Sequence, residues 1–127
     1  MPRVFLAIPV DETIRAAVES VAISPDRGLR RIRGDELHIT LHFLGDVSPA
    51  GLQDLQRSLR SVRSESFTLG LRSAGFFGGG GRPEILWIGV DRHPSLIELH
   101  SKLSGCLGSL GLPVEDRTYS PHLTVAR

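Results

Sequence analysis

One pattern of strand, helix and strand occurs twice in the chain, and this limits the available folds more than any other feature. Leu6 to Asp11 reads LAIPVD and Leu86 to Asp91 reads LWIGVD, both L-x-I-x-V-D. Each is strand-like and each leads into an amphipathic helical pattern. After Asp11 comes ETIRAAVESVA, with Ile14, Ala17, Val18 and Val21 along one stripe. After Asp91 comes PSLIELHSKLSGCLGSLG, with Leu96, Leu99, Leu103, Cys106, Leu107 and Leu110 at helical spacing. Gly111 and Pro113 are placed to end that second helix. Both units then close on related strands, ELHITL and SPHLTVAR, each containing His-apolar-Thr-apolar. The histidines are 84 residues apart and the L-x-I-x-V-D strands 80, so a small loop difference absorbs the offset.

Alternation along Glu36 to Gly45 assigns Leu37, Ile39, Leu41 and Phe43 to a core face, and His38, Thr40 and His42 to the other. Residues i and i+2 on a strand share a face about 6.6 Å apart, a gap that suits a phosphoryl group between an imidazole and a hydroxyl. Duplicated units tend to pack about an approximate two-fold axis. Four side chains then converge: His38 and Thr40 from one strand, His122 and Thr124 from the other. Two facing imidazoles are tools for acid–base catalysis of a phosphodiester, because one can be neutral while the other is protonated. The threonines would donate to the non-bridging oxygens, and Arg127 is a natural cationic clamp. A zinc site is disfavoured. His38 and His42 are about 13 Å apart on a strand, and the sequence offers no cysteine cluster or carboxylate triad beside them. No metal or cofactor is expected. His42 reads as a cleft-edge or surface residue, and His93 and His100 as structural or exposed.

Between the units, Ser48 and Pro49 read as N-cap and first turn of a helix with Leu52, Leu55, Leu59 and Val62 on its buried stripe. SFTLGLRSAGFF reads as a strand with Phe67, Leu69 and Leu71 alternating. The glycines at 78–81 precede a strand, not a helix, so a hairpin tip fits them better than a phosphate loop. The length of 127 residues fits a single domain of ordinary size, 1–127, able to bury a core without disulfides. The lone Cys106 cannot pair within the chain and reads as a core thiol in a reducing compartment. The apolar run near the start is short and broken by Pro9, unlike a signal peptide or membrane span, so a cytoplasmic, monomeric protein is expected. Net charge is +1, yet fourteen of the fifteen basic residues are arginine, and Arg27, Arg30, Arg31 and Arg33 crowd the approach to His38. Solvated surface accounts for such a cluster, and so does phosphate recognition by planar forks.

The double His-x-Thr, the lead-in LRRIRGDELHITLHFLG, the strand EILWIGVD and the closing YSPHLTVAR resemble the two-histidine phosphoesterase superfamily. Within it the likeness is to the RNA 2′,3′-cyclic phosphodiesterase family, LigT-like and also called 2′-5′ RNA ligase. The resemblance implies a bilobal α+β duplication, a single two-lobed domain over residues 1–127, with two antiparallel sheets flanked by helices around a central cleft. It implies metal-independent hydrolysis of terminal 2′,3′-cyclic phosphates to 2′-phosphomonoesters, with reverse 2′-5′ ligation alongside. Its partners would be RNA with cyclic-phosphate ends or small cyclic nucleotides. By that likeness His38 would be the proton donor, His122 the proton acceptor, and Thr40, Thr124 and Arg127 phosphate-binding residues. Phe43 would stack on the terminal base, although strand parity places it on the core face. The family's chain continues past the second motif, so a C-terminal helix and strand are expected to be missing. Two other readings stay open: a non-catalytic RNA- or nucleotide-binding module of the same fold, and a phosphodiesterase for small cyclic nucleotides.

Overall fold

A computed structural model describes residues 1–20, 28–79, 82–115 and 117–127. Val21, Arg27 and Gly80–Gly81, each part of an expectation above, lie outside the described residues. The elements run β1 (Arg3–Pro9), α1 (Glu12–Glu19), β2 (His38–Asp46), α2 (Pro49–Leu59), β3 (Leu71–Gly79), β4 (Arg82–Val90), α3 (Pro94–Ser109) and β5 (His122–Ala126). A 3₁₀ turn at Gly34–Glu36 leads into β2. The protein is thus α+β. The expected two sheets are replaced, among the described residues, by one five-stranded sheet ordered β1-β2-β5-β4-β3. The reason is the pairing of the two His-x-Thr strands with each other: β2 and β5 run antiparallel with Ile39 opposite Leu123. The repeated pairs therefore join edge to edge.

The helices begin where the sequence supplies caps. The Asp11 carboxylate accepts from the Ile14 amide at 3.0 Å, and Ser48 Oγ from the Gly51 amide at 3.0 Å with Pro49 following. For α3 the cap is His93, whose Nδ1 accepts from the Ser95 amide at 3.1 Å while Phe67 stacks on its ring at 5.0 Å. Gly111, at φ 69°, closes α3. There the Leu112 amide donates to the Leu107 carbonyl at 2.9 Å and the Gly111 amide to Gly108 at 3.1 Å, a Schellman ending. Phe67 and Leu69 precede β3 instead of belonging to it, because the ladder with β4 starts at Leu71 opposite Val90.

The chain divides into two compact units. One comprises residues 1–7, 40–69 and 92–120. Its core is Leu44, Val47, Leu55 and Leu107, with Val4, Leu6, Leu52, Leu59, Leu110 and Leu112 packed around them. The other comprises residues 8–39, 70–91 and 121–127, and buries Val18, Leu37, Ile39, Leu86, Ile88, Leu123 and Val125. Cys106 is half-buried on α3 with its thiol unpaired in any disulfide. Among the described residues no helix is long and apolar enough to cross a membrane.

Candidate active site

In the second unit, the register of β2 and β5 places the candidate side chains. Ile39 opposite Leu123 sets His38 opposite Thr124, and both lie on the face away from buried Leu37, Ile39, Leu123 and Val125. His122 lies two residues from Thr124 on β5 and shares that face. The two imidazoles are therefore diagonal neighbours across the ladder, on β-carbons roughly 7 Å apart. Ile39 and Leu123 are fully buried, so a one-residue slip would bury the polar set, and the register is strongly specified.

The approach to β2 builds the wall beside His38. The Arg30 amide donates to the Arg127 carbonyl at 2.9 Å, the Arg127 amide returns a bond of 3.0 Å, and the Ile32 amide donates to Val125 at 2.9 Å. The 3₁₀ turn then lifts the chain away from β5. A cavity of about 240 Å³ opens between, lined by Ile32, Glu36, His38, Thr124 and Arg127. His38 Nδ1 sits 2.7 Å from the Glu36 carbonyl. A carbonyl only accepts, so Nδ1 carries hydrogen and Nε2 is the atom that gains and loses the second proton. His122 meets Phe77 edge-on at 5.7 Å and Trp87 at 6.3 Å.

Thr40, on β2, is half-buried, and its carbonyl accepts from the Tyr119 hydroxyl at 2.8 Å. Beyond it burial no longer alternates: Leu41 and His42 are both buried, so both faces of the strand are covered there. His42, expected at a cleft edge or on the surface, is 4% exposed, whereas Phe43, expected on the core face, is 45% exposed. The cause is local. His42 Nε2 lies 3.0 Å from the His100 carbonyl and 3.3 Å from Ser104 Oγ, and its ring stacks on His100 at 4.0 Å. Phe43 is left open to solvent, where the Arg3 guanidinium lies 5.3 Å from its ring centre.

Sequence reasoning missed Ile32, Glu36, Phe77 and Trp87. The arginine-rich lead-in drew attention to charge and hid the backbone pairing of residues 30–32. Gly75 and Phe77 in the middle segment carried no motif, although a glycine facing a strand tryptophan is a signal of close packing.

The 2′-5′ RNA ligase superfamily profile matches residues 9–127. An RNA 2′,3′-cyclic phosphodiesterase of Archaeoglobus fulgidus is 33% identical, over 98% of this chain and 72% of its own. Among solved structures, a Thermus thermophilus protein, TT0787, superposes with a TM-score of 0.83 at 29% identity, covering 99% of this chain and 74% of its own. Escherichia coli LigT complexed with 3′-AMP gives 0.79 at 30% identity, covering 98% and 72%.

Proposed function

Since the chain belongs to the 2′-5′ RNA ligase superfamily, we propose that it opens 2′,3′-cyclic phosphates at the ends of RNA strands. The product is a 2′-phosphomonoester, no metal takes part, and 2′-5′ ligation is the same chemistry with another nucleophile. His38 gives the Nε2 proton to the departing 3′ oxygen, its Nδ1–H being held by Glu36. His122 takes the proton of the attacking water. Thr124 and Thr40 donate hydroxyl hydrogen bonds to the non-bridging oxygens, and Arg127 balances their charge as it grows in the transition state. In-line displacement needs acid and base on opposite sides of phosphorus, and an acid–base pair of this kind supplies about 10²–10⁴-fold in rate.

The observation that supports this reading most is the Ile39–Leu123 register, which puts both imidazoles diagonally on one face. Arg127 and Thr124 lining the cavity beside His38 agree with an anionic substrate. The test is an oligoribonucleotide ending in a 2′,3′-cyclic phosphate, incubated with the protein in EDTA. Turnover should continue under chelation. His38→Ala and His122→Ala should each lower kcat by about 10²–10⁴. Undiminished turnover in His122→Ala would overturn the mechanism, and tight binding without ring opening by the wild type would favour a non-catalytic module.

A further inference from the structure

Beside His122 the sheet carries an aromatic pair that the reaction above leaves without a task. Trp87 stands opposite Thr124 in the ladder of β4 and β5, so its side chain shares the face of Thr124 and His122. Its other neighbour, on β3, is Gly75. A β-carbon there would lie 2.5 Å from Trp87 Cζ2, so only bare backbone lets the indole cross the strand. Phe77 stacks on that indole at 5.2 Å and 29° and turns its ring roughly perpendicular to His122, at 79°. The indole covers one side of Phe77, yet the residue is 49% exposed. A planar ring kept open to solvent by a supporting indole, next to an acid–base histidine, is a stacking platform for another planar ring.

Its side of the phosphate decides what stacks there. In-line displacement separates the entering and leaving oxygens. The leaving 3′ oxygen belongs with His38, which places the cyclic-phosphate ribose and its base on that side. The entering oxygen belongs with His122, and so does the platform. Resting on the phosphodiesterase reading, we infer that Phe77, backed by Trp87, stacks the base of an incoming nucleoside whose 5′-hydroxyl replaces water. The 5′ oxygen bonds to phosphorus and its proton passes to the His122 imidazole. The P–O3′ bond breaks, and the 3′ oxygen takes the proton from His38. A 2′-5′ phosphodiester and a free 3′-hydroxyl result.

The experiment offers the cyclic-phosphate oligoribonucleotide two acceptors in parallel, adenosine and methyl riboside, which has the same 5′-hydroxyl and no base. Adenosine should divert about ten-fold more turnover into 2′-5′ product, the size of one stacking contact. Phe77→Ala should lower the transfer-to-hydrolysis ratio for adenosine about ten-fold, and Phe77→Tyr should keep it. Phe77→Leu, which keeps apolar bulk without a π face, serves in place of alanine if truncation unfolds the hairpin. Equal capture of both acceptors, or an unchanged ratio in the Phe77 variants, overturns the assignment. A second arm needs no turnover. Trp87 is the only tryptophan in the chain, so adenosine should quench its fluorescence in the wild type and much less in Phe77→Leu. Quenching without cleavage of the cyclic end would keep the platform and remove the phosphodiesterase. Cleavage without quenching or acceptor preference would do the reverse.

Discussion

Three rings, His42, His100 and Tyr119, stack in a row with neighbouring centres 4.0 Å apart. The row ends in the hydroxyl that holds the Thr40 carbonyl. Burial pushes the Tyr119 phenol up to about 12, against an opposing pull from Arg92, so the hydroxyl keeps its proton and its donor role. Tyr119→Phe should therefore cost about 1 kcal/mol, read from urea denaturation. Burial also lowers His100 from its ordinary 6.5, helped by His42 and Arg92 and opposed by Glu115. The unfolded chain then binds a proton that the folded chain resists. Stability is complete above 6.5 and declines as pH falls from there through the lowered folded-state value. His100→Phe keeps a ring in the row and removes its titration. Its stability should fall less than the wild type's between about pH 7.5 and 5.5, and parallel curves would remove His100 from the account.

At the scale of elements, what the sequence discloses depends on whether a signal is local. Ser48-Pro49 and Gly111 write their helix ends into a few adjacent residues, and the structure places them so. The two His-x-Thr strands were legible because they repeat. The burial of His42 and the exposure of Phe43 were not, because they depend on which distant elements cover each face: His42 is held by groups on α3 that lie 58 and 62 residues away in sequence. The start of β3 was misplaced for a similar reason: Phe67 and Leu69 alternate correctly, but the strand extends only where β4 is present to pair. The single sheet was likewise hidden, since no residue pattern says whether two related strands will face or adjoin. Gly75 offers a sharp test of the β3–β4 packing. Gly75→Ala puts a methyl group against the Trp87 ring. It should cost about 1–3 kcal/mol by denaturant titration, and part of that should return in the double variant with Trp87→Leu.

For the molecule as a whole, charge is nearly balanced at +1, so long-range attraction for a polyanion is weak, and local pairing is what distinguishes the arginines. Arg33 lies 3.2 Å from Asp35, and Arg31 donates to the Val18 carbonyl. Arg30 is exposed, and its backbone is tied to Arg127 at the cavity. If the polymer's phosphates run along this edge, Arg30→Gln should lower the slope of log affinity against log salt by about 0.7, the share of one single-strand phosphate contact. A cyclic mononucleotide should show no such change.

The sheet order has a further consequence, for the time course of folding. Of the five strands β5 is the latest in sequence and sits third in space. Until the ribosome has made it, β1 and β2 on one flank, and β3 and β4 on the other, are ribbons with no keystone between them. Pairing Ile39 with Leu123 closes a loop of 84 residues, an entropic toll that puts the face carrying His38 and His122 among the late-forming parts of the sheet.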